Sequence, residues 1–490
     1  MDVPCARAHT PRENSILAAA GAGRPCSSYG NGAVTRRLGE AVVEIVTIKT
    51  PSLGDRSYLV TDGTVGLVVD PQRDIDRVLA LTASRGITVT DVFETHIHND
   101  YLTGGLALAR ATGAAYHVNG ADPVAFERAA VGDGDEVDVG GSMRVRVIAT
   151  PGHTFTHLSY ALEDTATGAT VAVFTGGSLL HGSTGRPDLL GAEHAPALAA
   201  AQHASAGRLA AMLPGQAVIY PTHGFGSFCA ASLPGSDGST IAEEQRVNPA
   251  LTVDEHTYVA DLLAGLDDYP AYYARMAPAN AAGPQPPDLT PPTAPDADEI
   301  GRRIDAGEWV VDLRDRRAFA AGHVPGSFSF GYGDSFVSNL GWLLPADAPV
   351  TLIGDSPEQV ADARRDLARI GIERIAGTAG PPSGWARRLT SYPVCDFAYL
   401  AAAWRHEPVA VLDVRRRLEW SASHIDGAVH VPLHHLPQRI PDLPAGPIWV
   451  HCQAGYRASI AASILHAAGR EVTAIDDDYH RAALAGLPVV

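Results

Sequence analysis

Two stretches in the second half of the sequence carry one pattern. Residues 309–327 read WVVDLRDRRAFAAGHVPGS and residues 409–428 read VAVLDVRRRLEWSASHIDGA. In each, an apolar strand ends in Asp-(Leu/Val)-Arg, a short helical run follows, and a His-(Val/Ile)-X-Gly turn leads toward another strand. A second apolar strand comes later in each, PVTLIGD in one and GPIWVHC in the other, and runs into a helix. An internal duplication of an α/β unit is the economical reading. With 490 residues the chain exceeds what one hydrophobic core supports, so it is multidomain.

Ahead of the duplication, short apolar strands and helical stretches alternate from residue 41 to residue 276, reading as a mixed α/β and α+β domain. Residues 277–297, APANAAGPQPPDLTPPTAPDA, are dense in proline and glycine, which predicts a linker without a helix or central strand. The duplicated units then occupy 298–388 and 389–490, and residues 1–40, small, polar and glycine-rich, read as an unstructured extension without a secretory signal. A net charge of -18 with no basic cluster argues against nucleic acid or anionic lipid as partner and for small metabolites. No apolar run reaches bilayer length. Five cysteines without regular spacing predict no disulfide framework and fit a reducing cytoplasm. Oligomeric state is open, a homo-oligomer included.

The strand at 448–450 delivers Cys452 into the loop CQAGYRAS, ahead of a helix. A loop that wraps backbone N–H groups around a sulfur at a helix N-terminus favours thiolate and would stabilise an anionic persulfide. Gly455 would let the loop curl, and Arg457 would add positive charge beside the sulfur. The matching turn of the first copy, Gly354-Asp355-Ser356, has neither cysteine nor arginine, so Asp312 and His323 there read as fold-keeping residues.

In the N-terminal domain, THIHNDYLTGG places His96, His98 and Asp100 at a strand end, and His153 and His223 recur at later strand ends. Imidazoles and a carboxylate converging from separate loops suit a divalent first-row metal.

The C-terminal segment, with DVR, EW, His-Ile-X-Gly and Cys452, Gly455 and Arg457 in Cys-X-X-Gly-X-Arg, resembles the rhodanese family. The histidine set resembles the metallo-β-lactamase fold. The segments GRPDLL, HGFGSFC and RVNPAL are similar to those of persulfide dioxygenases fused to two rhodanese domains. The resemblance implies a metallo-β-lactamase αββα sandwich followed by two rhodanese-like α/β domains, the first catalytically silent. It further implies an Fe(II) held by two histidines and one aspartate, at positions matching His96 and His153. The activity implied is oxidation of a low-molecular-weight persulfide to sulfite, with Cys452 then passing sulfur to that sulfite to give thiosulfate; the partners implied are a low-molecular-weight persulfide or thiol and sulfite, and Cys229 is a further sulfur-handling position. Two residues depart from that pattern: Tyr101 stands where the family has a histidine, and Gly177 where it has the aspartate ligand. Zinc on three histidines, as in a hydrolase, and a metal-free scaffold are the alternatives. Arg186 in GRPDLL reads either as a contact for a substrate carboxylate or as a structural ion pair.

Overall fold

The computed structural model describes residues 32–38, 41–224, 226–231, 238–379, 389–406 and 409–490. Its N-terminal third packs two sheets face to face. One has seven strands running in chain order from Gly32–Leu38 to Ala129–Val131; the other has six, from Ser239–Thr240 at one edge through Val218–Pro221, Thr170–Gly176, Leu158–Asp164 and Met143–Ala149 to Glu136–Val139. Residues of period-two strands point alternately inward, and Val43, Ile45, Tyr58, Val60, Phe93, Val145, Val147, Tyr160 and Phe174 form the core between the sheets. The helices Asp76–Arg85 and Gly105–Thr112 cover the outer face of the first sheet, while Ala195–Met212 and Glu255–Ala264 cover that of the second, completing four layers. Residues 32–38, read above as part of the extension, instead pair antiparallel with the strand Ala41–Thr50; residues 1–31, with Cys5 and Cys26, lie outside the described residues.

The second half contains two parallel sheets of related order. One runs Phe328–Ser329, Trp309–Asp312, Val350–Gly354, Ile375–Ala379; the other runs Val394–Cys395, Val472–Ile475, Ile448–His451, Ala410–Asp413, Val429–His430. Local bonding repeats as well. Asp312 accepts from Arg314, whose guanidinium also donates to the Gly322 carbonyl at 2.9 Å. Asp413 accepts from Arg415, which donates to the Ser423 carbonyl at 2.8 Å. His323 Nδ1 bonds the Phe319 carbonyl at 2.9 Å, as His424 Nδ1 bonds that of Trp420 at 3.1 Å. These pairs lock the strand-to-helix turn, which is the fold-keeping role expected of Asp312 and His323.

The expected linker is partly helical. The helix Tyr273–Ala282 carries Pro278 inside it, which removes one N–H and crowds the preceding turn. Tertiary contacts outweigh that cost: Tyr273, Met276 and Asn280 are buried, and Asn280 Nδ2 donates to the carbonyls of His98 (2.9 Å) and Tyr101 (2.8 Å) while its Oδ1 accepts from Thr103 N (2.9 Å).

The middle unit is docked on the N-terminal one through charge. Arg369 and Asp74, each 1 % exposed at the side chain, pair at 2.7 Å; Arg365 meets Asp76 at 2.7 Å, and the Leu102 amide donates to the Arg369 carbonyl at 2.8 Å. One apolar cluster runs from Tyr101, Cys229, Tyr272 and Met276 through Phe336 and Leu367 to Cys452, so all three units share buried surface. Among the described residues no helix is long and apolar enough to cross a membrane.

Candidate functional site

The loops after three strands of the sandwich converge at one end. His96, His98 and Asp100 follow Thr88–Phe93, His153 follows Met143–Ala149, and His223 follows Val218–Pro221, where it bridges to Asp55 across the gap between the sheets. All are at most 2 % exposed. The donor atoms of His96, His98 and His223 lie within 4.8 Å of one another, as do those of His153, His223 and Cys229, and of Asp55, Asp100 and His223. The five metal-site residues expected from the sequence therefore meet, and His223 is their hub.

Hydrogen bonds identify which nitrogens are lone-pair donors. His153 Nδ1 lies 2.8 Å from the Arg186 carbonyl, which only accepts, so Nδ1 carries the proton and Nε2, which has no hydrogen-bond partner, carries the lone pair. Thr95 gives its one hydroxyl proton to Asp70 and so takes one from His96 Nδ1 at 2.9 Å, leaving the lone pair on His96 Nε2. His223 Nδ1 sits between Asp55 (3.1 Å) and Asp100 (3.2 Å), and its Nε2 is 3.3 Å from His96 Nε2. Carboxylates on the far nitrogen orient a ligating imidazole and raise its basicity. His98 differs: its Nε2 is taken by Asp70 (3.3 Å), Glu94 (3.1 Å) and the Tyr101 hydroxyl (3.0 Å), leaving only Nδ1, without a hydrogen-bond partner, to offer.

The electrostatics separate these imidazoles. Burial and the nearby His98 charge push His96 well down, and burial with the His223 charge pushes His153 down to about 3, so both stay neutral. Burial also opposes charge on His223, but Asp100 and Asp55 outweigh it and hold the imidazole up at about 9. His98 is raised likewise by Asp70 and Glu94 against its burial. Burial, then the Asp100 charge, push the Cys229 thiol well up. Several buried atoms here (His153 Nε2, His98 Nδ1, Asp100 Oδ1) lack hydrogen-bond partners, while Asp100 Oδ2 is paired with His223, and this donor set fits a divalent cation.

Gly177 is spanned by the ring of His153. A β-carbon at 177 would lie 2.2 Å from His153 Cδ2, and one at Gly185 would lie 2.6 Å from His153 Nδ1, so the imidazole lies between two glycines. Tyr101 is wholly buried, stacked on His98 at 4.3 Å between ring centres. Arg186 is 4 % exposed and already committed: it pairs with Asp188 at 2.6 and 2.7 Å, donates to the Asp267 carbonyl at 2.8 Å and lies over the Tyr269 ring. The structural ion pair, rather than a substrate contact, is what the geometry supports.

Cys452 follows the strand Ile448–His451, and its loop closes on the helix Tyr456–Ala467 through Gly455, whose φ of 86° favours glycine. A β-carbon at 455 would also meet Asp476 Oδ1 at 2.2 Å. Arg457 is held by two bonds to Glu419, 2.6 and 2.7 Å, so its charge is fixed beside the loop; burial opposes ionisation of Glu419, but Arg457 pulls its pKa down to about 2. In the middle unit Ser356 caps the helix Pro357–Arg369 and Asp355 N bonds Gln359, so that turn is spent on helix capping.

Cys452, though 2 % exposed, lines a cavity of about 590 Å³ shared by all three units. Lys49, Arg56, Arg416 and Arg457 face it against Asp55 and Asp334, and Tyr272, Tyr273 and Trp342 supply apolar wall. Asp55 belongs to this wall and to the histidine cluster alike. Sequence reasoning missed Asp55, Asn280, Lys49 and Arg56, which stand in no motif; the Cys229 position was flagged only through the family resemblance.

The metallo-beta-lactamase superfamily model matches residues 55–223, and the rhodanese-like domain model matches residues 397–482. A hydroxyacylglutathione hydrolase of Acidiphilium cryptum (strain JF-5) is 37% identical over 121 residues, covering 24% of this chain and 49% of that protein. One from Polaromonas sp. is 29% identical over 174 residues, covering 34% of the chain and 62% of the relative. The chain thus spans about half the length of the curated relatives it matches. The crystal structure of a metallo-beta-lactamase from Staphylococcus aureus subsp. aureus COL superposes with a TM-score of 0.62 and 27% identity, over 69% of this chain and 99% of that one. ETHE1 from Myxococcus xanthus gives 0.42 and 29%, over 49% and 98%.

Proposed function

We propose that this chain, a metallo-β-lactamase domain followed by a C-terminal rhodanese-like domain, is a sulfurtransferase in which Cys452 carries sulfur as a persulfide. The observation that carries the reading is the shared cavity, which sets Cys452 among four basic side chains against two carboxylates, Asp55 and Asp334, in a chain of net charge -18. Small anionic sulfur species are what such a chamber attracts.

The Cys452 thiolate attacks the outer sulfur of a low-molecular-weight persulfide; the donor S–S bond breaks, the donor leaves as thiolate, and the sulfur remains on Cys452. Sulfite then attacks that sulfur and departs as thiosulfate, returning the Cys452 thiolate, so no external oxidant or reductant is consumed. Arg457, fixed by Glu419, offsets the negative charge of the persulfide. The middle unit is a second rhodanese-like domain without a nucleophile, and the Arg369–Asp74 pair supports a docking role for it.

In the N-terminal domain the carboxylate that an iron oxygenase of the resembling class would need is replaced by Gly177, with the His153 ring across it. His96, His153 and His223 would hold a divalent ion, with His98 Nδ1 and Asp100 beside them, and such an ion supplies Lewis-acid polarisation. The residues themselves keep the site dry and orient the imidazoles. The transfer reading is tested by following sulfur from glutathione persulfide to sulfite: wild type forms thiosulfate without oxygen uptake and Cys452→Ser does not. Brisk oxygen uptake with stoichiometric iron would replace this reading with the oxygenase.

Thioester hydrolysis at the N-terminal cluster is a second reading, favoured by the relatives named hydroxyacylglutathione hydrolase. It predicts thioester turnover by zinc-loaded Cys452→Ser protein.

A further inference from the structure

We infer that Cys229 supplies the anionic ligand that Gly177 lacks, completing with His153 and His223 a thiolate site for a zinc-type divalent ion. The donor atoms of Cys229, His153 and His223 lie within 4.8 Å of one another, and all three residues are at most 1 % exposed. His153 Nε2, buried and without a hydrogen-bond partner, is the second observation that points to a ligand.

The backbone of one residue holds the two new neighbours together. The Arg186 carbonyl accepts from His153 Nδ1 at 2.8 Å, and the Arg186 amide donates to the Cys229 carbonyl at 2.8 Å. The same backbone unit therefore aims the imidazole and fixes the cysteine, which gives GRPDLL a role independent of the Arg186 guanidinium. His96 Nε2 lies 3.3 Å from that of His223, in the adjoining group formed with His98. With two imidazole nitrogens and one sulfur the set suits zinc, whereas a facial iron site calls for two histidines and a carboxylate. On binding, Cys229 gives up its S–H proton and His223 its Nε2 proton, and no electron changes hands.

Full-length protein loaded with cobalt(II) tests the assignment, and the outcome is independent of whether Cys452 transfers sulfur. A near-ultraviolet thiolate-to-cobalt charge-transfer band is expected, retained in Cys452→Ser and lost in Cys229→Ser, with zinc content falling from stoichiometric in that variant. X-ray absorption of zinc-loaded Cys452→Ser needs no change at Cys229 and should show one sulfur at about 2.3 Å. A charge-transfer band that survives Cys229→Ser, a shell of nitrogen and oxygen only, or failure to retain zinc or cobalt would each overturn the proposal.

Discussion

The imidazole of His153 lies across Gly177 so closely that residue 177 has no room for a side chain: a β-carbon there would stand 2.2 Å from His153 Cδ2 and 2.8 Å from Nε2. The loss of the carboxylate and the position of the histidine are thus one feature, and reversing the first disturbs the second.

Gly177→Ala should accordingly destabilise the protein by about 1–3 kcal/mol, the cost of overpacking a closed core, read from urea unfolding. Gly177→Asp adds a buried charge to the same clash, and its zinc content should fall below that of wild type. A Gly177→Asp protein that melts like wild type and gains stoichiometric iron would show that His153 moves aside freely.

Cys452→Ser should lower sulfur transfer by about three orders of magnitude or more, as loss of a nucleophile does, while the melting temperature stays near wild type. Arg457→Lys keeps the charge but loses the two-bond fork to Glu419. Its transfer rate should drop by about 10-fold to 100-fold, with near-native circular dichroism.

Asp74 and Arg369 hold the middle unit to the sandwich. Arg369→Ala takes one partner from each of two buried carboxylates, Asp74, which keeps Arg77 at 2.8 Å, and Asp366, and should cost about 1.5–3 kcal/mol, the range for hydrogen bonds to charged groups. Burial alone would raise the Asp74 pKa, but Arg369 and Arg77 outweigh it and hold the carboxyl well below its usual range. A depressed folded pKa means that this contribution is complete above pH about 4, the unfolded value, and is lost as pH falls below it. The stability gap between wild type and Asp74→Asn should therefore be widest at neutral pH and narrow in acid unfolding series.

Asn280 pins the loop that carries His98 and Asp100 through three bonds of 2.8–2.9 Å. Asn280→Ala leaves the Thr103 amide and two carbonyls unsatisfied, at about 1–3 kcal/mol. Zinc affinity, measured by competition with a chelator, should weaken by about 10-fold to 100-fold, the usual effect of losing an orienting contact. Unchanged affinity would show that the loop holds its shape without the helix.

Sequence alone determined the units that local chemistry builds. The strand-loop-helix around Cys452 was legible because an apolar run, a Gly455 turn and a helical repeat specify it within about a dozen residues, and the duplication around Asp312 and Asp413 was legible for the same reason. The histidines were legible as strand-end residues that would converge. Tertiary structure decided the rest. Pro278 read as a helix breaker, yet burial of Met276 and Asn280 outweighs its local cost. His223 and Cys229 share the segment HGFGSFC, but Asp55 and His153 stand far from it in sequence, and only the packing of the two sheets brings their donor atoms within reach of His223. The cavity beside Cys452 exists because three units dock through Arg369, Asp74 and a common apolar cluster. Periodicity and turn chemistry act over a few residues, whereas contacts between residues a hundred or more apart are chosen by close packing and charge pairing, which no local pattern encodes.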